Sequence, residues 1–138
     1  YRVVPGLEAD QLAAYPSQSP LTVLSNEPSL QAIAVPRATP LPLIQAAFFT
    51  QGRLEIDETH TIQTDIPSLL LLRQTEGGFT LSVSDPTQRR REARIQLTGQ
   101  YTGPNCTYLA DQNVTVVTVK LPADEFAGQT VQIDLRAG

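Results

Sequence analysis

Methionine and tryptophan are absent from this chain, and histidine and cysteine occur once each, as His60 and Cys106. A metal site built on two or three imidazoles is therefore excluded within it. One thiol excludes an internal disulfide framework, and Cys106 reads as a small apolar or inert loop residue. A serine–histidine–carboxylate triad would have to use His60, and no glycine-flanked elbow serine accompanies it. No glycine-rich phosphate cradle is present. The longest apolar run, Leu69–Leu72, is strand-sized, whereas a membrane-crossing helix needs about 20 apolar residues. Charge is sparse too: 17% charged residues and a net charge of −4 do not suit a nucleic-acid binder, and they argue against the chain as the main grip on a polyanion unless a local patch overrides the average.

What is there is apolar and turn-rich. At 41% hydrophobic residues the 138-residue chain is too apolar for disorder, and its length suits one domain with a sizeable core. The 11 prolines and 8 glycines are spread along it, as short strands joined by turns require. Phe79, Leu81 and Val83 alternate with Thr80, Ser82 and Ser84, which marks a half-buried strand, and Asp85–Pro86 ends it. Val131, Ile133 and Leu135 alternate as cleanly. Val114–Leu121 and Arg94–Thr98 are further strands, and so are Leu21–Leu24, Leu30–Val35, Ile44–Phe49, Leu54–Ile56 and Thr59–Thr64. Ser68–Arg73 reads as a strand covered on both faces. Gly77–Gly78 predicts a tight hairpin into the Phe79 strand, with positive φ at both positions. Ser25–Pro28 reads as a turn, Gly103–Asn105 as a loop, and the prolines between Pro36 and Pro42 as a connection or sheet edge. Leu7–Tyr15 is the one helix candidate. About ten short strands with this turn spacing predict an all-β, antiparallel sandwich with one short N-terminal helix at most.

Candidate chemistry is thin. Arg89, Arg90 and Arg91 form the basic cluster. They could hold carboxylates or sulfates of an acidic sugar by bidentate pairing, or serve as a solvated hairpin end. Tyr101 and Tyr108 flank the Gly103 loop and could stack on sugar rings or pack at the rim. Asp57, Glu58 and Asp65 could contribute to a calcium loop or form a solvated acidic turn. Asn105–Thr107 and Asn113–Thr115 fit the glycosylation triplet, which has meaning only in a source that uses it.

Four stretches carry a family resemblance. Leu81–Gln88 (LSVSDPTQ) resembles a phrase in the C-terminal domains of bacterial hyaluronate, chondroitin and xanthan lyases, polysaccharide lyase family 8. Tyr1–Gly6 resembles the strand that leaves that family's central β-domain. Val23–Asn26 followed by Gln31–Ile33, and Val119–Pro122 with Gly128–Thr130, resemble two more of its segments in the same order. Ile33, where valine is commoner, and the proline-rich stretch 36–42 depart from the pattern and leave the sugar open.

The resemblance implies a secreted bacterial parent that cleaves acidic polysaccharide by β-elimination. Its catalytic asparagine, histidine, tyrosine and arginine would lie in an α/α-toroid domain upstream, and no position here matches them. It further implies that residues 1–6 are the last strand of the preceding central β-domain and 7–138 a non-catalytic C-terminal sandwich. That sandwich would support the central domain and edge the substrate cleft. No cofactor is implied for this segment, though calcium could belong to the parent. The expected partners are the central β-domain, the toroid domain and an acidic polysaccharide, with no nucleic acid and no membrane. A freestanding carbohydrate-binding module and a plain structural sandwich are the alternatives. The strand-like start at Tyr1 leads us to expect a piece of a longer chain.

Overall fold

In the computed structural model, Gly6 and residues 8–11, 14–15, 21–36 and 42–138 are described. The expected strand at 1–5 and the connection at 37–41 lie outside the described residues. Two antiparallel sheets face each other. The larger has seven strands in the order β1 (Thr22–Glu27), β2 (Leu30–Val35), β3 (Leu43–Phe48), β6 (Ser68–Thr75), β7 (Gly78–Ser84), β12 (Val131–Ala137), β9 (Tyr101–Thr102). The smaller has five: β10 (Cys106–Leu109), β11 (Val114–Lys120), β8 (Glu92–Thr98), β5 (Thr61–Thr64), β4 (Gly52–Glu55).

Period-two alternation puts one side chain in two into the space between the sheets. Phe48, Leu70, Leu72, Leu81, Val83 and Leu135 enter from the larger sheet, and Leu54, Ile62, Ile95, Leu97, Val117 and Val119 from the smaller. Where the chain crosses between sheets, polar groups are buried but paired. Thr64 and Ser68 share a 2.8 Å hydroxyl contact and both donate to the Ile66 carbonyl. The Thr115 hydroxyl donates to the Gly99 carbonyl and accepts from the Tyr101 N–H.

Five details differ from the sequence expectations. Among the described residues twelve strands are present rather than about ten, because Tyr101–Thr102 and Cys106–Leu109 form short strands on either side of the Gly103 loop. Each pairs with a different sheet, β9 with β12 and β10 with β11, so the loop between them bridges the seam. β1 continues through Ser25–Glu27, with a register shift between Val23 and Ser25, and the turn is Pro28–Ser29. The Gly77–Gly78 hairpin is offset by one residue. Thr75 pairs with Gly78, so the turn is Glu76–Gly77 and only Gly77 has positive φ, 84°. Within 7–15, the described residues hold a 3-10 turn, Ala9–Gln11, and a helical residue, Tyr15, where one helix was expected, with Leu7, Leu12 and Ala13 outside the described residues.

The fifth difference bears on function. Ser68–Arg73 is covered on one face only. Ser68, Leu70 and Leu72 are buried, while Leu69 is 45% exposed and Leu71 half-buried on the outer face. An unbroken apolar run carries no period, so the sequence could not show which leucines face out.

Candidate functional site

The outer face of the seven-stranded sheet is concave. An open groove of about 1000 Å³ runs across β1, β2, β3, β6 and β7. Val23, Ile33, Ala47, Leu69 and Leu71 give it an apolar floor, and Gln31, Gln45, Ser82 and Ser84 surround them; among the described residues no charged side chain lines it. These residues meet because register places Ala47 opposite Leu69 and Leu69 opposite Ser84 across three neighbouring strands. Solvated outer faces of antiparallel sheets ordinarily alternate to polar residues, and the apolar floor of this groove departs from that pattern.

The sequence-picked residues do not form one patch. Arg89, Arg90 and Arg91 lie in the β7–β8 loop at one end of the sandwich, and all three are exposed. Tyr101 follows β8, and Tyr108 sits opposite Thr115, which in turn pairs with Leu97 near the far end of β8. The five strand steps from Glu92 to Leu97 put roughly 17 Å between the tyrosine end and the arginine end. Tyr101 is half-buried. Its ring packs edge-on against Phe79 with centroids 5.4 Å apart, and burial pushes its phenol pKa up. Tyr108 donates its hydroxyl to Asn113 Oδ1 at 3.0 Å.

The arginine loop is built on one buried carboxylate. Asp85 is 2% exposed. Its Oδ1 accepts from the Thr87 N–H and hydroxyl at 2.8 and 2.6 Å, and its Oδ2 from the N–H groups of Arg89 and Arg90, both at 2.8 Å. Burial alone would raise the Asp85 pKa, but these four bonds outweigh it and hold the carboxyl below its ordinary value. The arginine side chains are left to solvent, apart from a 3.6 Å contact of Arg91 with Asp124. Changing Arg89 and Arg91 together to alanine should move the unfolding free energy by no more than about 0.5 kcal/mol, read from a urea titration. A loss of several times that would show the guanidinium groups to be part of the fold.

The acidic turn is likewise closed on itself. Asp57 Oδ1 accepts from the Thr59 and His60 N–H groups, both at 2.8 Å, and its carboxylate lies 2.9 Å from His60 Nδ1. Burial opposes ionisation there, yet the bonds from Thr59 and His60 together bring the Asp57 pKa down to about 2. Asp65 Oδ1 accepts from the Arg94 N–H at 2.8 Å. Among the described residues no group of three His, Cys, Asp or Glu side chains is placed to hold a metal ion. Burial raises the pKa of Cys106, which keeps its thiol in the unreactive form.

Comparison with known proteins adds to this geometry. A family model described as "Polysaccharide lyase family 8, C-terminal beta-sandwich domain" matches residues 22–94. A curated relative, the Chondroitinase-AC of Pedobacter heparinus, is 29% identical over 134 residues, which is 96% of this chain and 17% of the relative. Among solved structures, a Chondroitin AC lyase of Streptomyces coelicolor A3 in complex with chondroitin sulphate superposes with a TM-score of 0.70 at 23% identity. That match covers 97% of this chain and 17% of the other. A Paenibacillus xanthan lyase superposes with a TM-score of 0.72 at 18% identity, covering 98% and 13%. The chain thus spans about a sixth of the curated relative it matches.

Proposed function

The chain belongs to polysaccharide lyase family 8, as its C-terminal β-sandwich domain, and from that premise we propose that it is a non-catalytic support. It would hold the neighbouring β-domain of a secreted bacterial lyase that cleaves acidic polysaccharide by β-elimination. The observation that carries this reading is the groove across β1, β2, β3, β6 and β7, which no charged side chain lines among the described residues. A cleft for a glycosaminoglycan or xanthan-type sugar needs cations to meet carboxylates or sulfates, and the described lining of this groove offers none. An interdomain face, by contrast, is served by apolar floor and neutral hydrogen-bonding rim. A relative several times longer than the chain has the additional domains against which such a face would close.

Leu69→Arg tests this. Leu69 is 45% exposed, so in the 138-residue chain the change should stay within about 0.5 kcal/mol. In the full-length gene product the same substitution buries a cation in an apolar contact. There it should lower the unfolding temperature and open the junction to protease. Equal tolerance in both settings would remove the docking reading. The activity itself is tested by assaying both forms for unsaturated oligosaccharide released from chondroitin sulfate, hyaluronan and xanthan. The full-length protein should release it from at least one, and the isolated chain from none.

A further inference from the structure

We propose that the β7–β8 and β11–β12 loops together form a subsite for an acidic polysaccharide, with Arg89 and Arg90 taking carboxylate or sulfate groups and Phe126 stacking on a sugar ring. The choice of sugar rests on the lyase reading above; the site itself rests on three observations.

The first is that the two loops are interlocked. The Leu121 N–H donates to the Arg91 carbonyl at 2.9 Å, Arg91 Nη2 lies 3.6 Å from Asp124 Oδ1, and a Cβ placed on Gly128 would stand 3.0 Å from Gln88 Cγ. Phe126 ends the Asp124–Phe126 3-10 turn and so stands roughly 4–6 Å along the backbone from Asp124. Its ring is 58% exposed, the largest exposure among the large hydrophobic side chains described. An exposed aromatic ring on one loop and guanidinium groups on the loop it touches are the pairing that sugar recognition uses, the ring for the C–H face and the cations for the anionic substituents.

The second is that the cations are free and their backbone is fixed. Among the described residues neither Arg89 nor Arg90 enters an ion pair. Both backbone N–H groups are held by Asp85 Oδ2, so little backbone freedom remains to be lost on binding.

The third is local strain. Among the described residues four non-glycine residues have positive φ, and three of them, Asn105, Asn113 and Asp124, are of a type that tolerates it. The fourth is Gln88, at 58° in the β7–β8 loop of the proposed site. Glutamine rarely adopts this conformation, and such outliers concentrate where a surface is shaped for a ligand. Glu125, between Asp124 and Phe126, is an exposed anion that keeps the affinity for polyanions modest.

The test is a binding titration of the chain with chondroitin sulfate oligosaccharides, with dextran as the neutral polymer and polyglutamate as the charge-only one. Wild type should bind chondroitin sulfate in the high-micromolar to millimolar range and dextran not at all. Phe126→Ala should weaken binding about fivefold, the size of one aromatic contact, and Phe126→Trp should restore or strengthen it. Arg89→Ala with Arg90→Ala should weaken it about tenfold and flatten its salt dependence. Tyr108→Phe, at the opposite end, should leave it unchanged. Absence of binding by wild type, a Phe126→Ala variant equal to wild type, or a polyglutamate affinity matching that for chondroitin sulfate would each overturn the site. These outcomes are separable from the lyase reading. A chain that binds through Phe126 while its full-length product releases no unsaturated oligosaccharide would sink the lyase assignment alone. An active lyase whose terminal domain binds nothing would sink the subsite alone.

Discussion

Gly78→Ala is expected to cost about 3 kcal/mol or more, while Gly77→Ala, one residue earlier, should cost about 1 kcal/mol. The two glycines stand side by side for unrelated reasons. Gly77 turns the chain at φ 84°, and a Cβ added there would meet nothing within 4 Å. Alanine at that position is strained only through its backbone. Gly78 opens β7 between Thr75 of β6 and Arg136 of β12. A Cβ there would overlap the Leu135 carbonyl oxygen and come within 2.8 Å of Arg136 Cα. Those are backbone atoms of the paired strand, at the end of the β7–β12 ladder, so no rotamer change relieves the overlap and β12 has to move away from β7. Urea titrations of the two variants measure the contrast, with unchanged slope showing that only stability has moved. A Gly78→Ala variant as stable as Gly77→Ala would mean that β12 is not seated as closely on β7 as described.

The second large effect is at Asp85. Asp85→Asn keeps the shape but leaves one oxygen for four donors and turns an amide N–H₂ toward N–H groups that need an acceptor. Hydrogen bonds to a charged group contribute about 1.5–3 kcal/mol, and a buried donor left unmet costs about 1–3 kcal/mol, so we expect a loss of about 3 kcal/mol and a fall in Tm on the order of 10 °C. The variant should also bind chondroitin sulfate more weakly, since the loop that carries Arg89 and Arg90 loses its anchor.

The pH dependence of that loss has a definite sign. The folded-state pKa of Asp85 lies below its unfolded value. Its contribution is therefore fully present above the unfolded carboxylate pKa of about 4 and disappears as pH falls through the folded value. Asp57 follows the same rule down to about 2. Wild-type stability should accordingly drop between about pH 4 and pH 2. The Asp85→Asn curve should start lower and fall less over that interval. Parallel curves for the two proteins would show that Asp85 is not ionised against those four donors.

Much of this was legible in the amino acids. The alternations at Phe79–Ser84 and Val131–Leu135 marked which residues enter the core, and the structure buries Phe79, Leu81, Val83, Ile133 and Leu135 accordingly; the Phe79–Ser84 strand, expected to be half-buried, is covered on its other face too, with Thr80 and Ser84 buried. Asp85–Pro86 marked the strand end, and the structure adds that Asp85 ties down the turn that follows. The candidate site was legible only in part. The arginines were visible as a run, but their aromatic neighbour was not. Phe126 is 35 residues further along the chain than Arg91 and lies in a segment with no strand period. Tyr101 and Tyr108 drew attention because they flank a glycine loop, and packing assigned Tyr101 to Phe79 instead.

Composition, period and turn residues determined that this chain would form short antiparallel strands around an apolar interior. Those are local properties, set by which side chains can leave water and which backbone groups can pair. Tertiary structure alone decided which leucines of Leu69–Leu72 face outward, that β9 and β10 divide between two sheets, and that the arginine loop meets the loop carrying Phe126 through Arg91 and Asp124. Each depends on register and on loops separated along the chain coming together, and the free energy that fixes such contacts resides in pairs of residues that no stretch of sequence contains together.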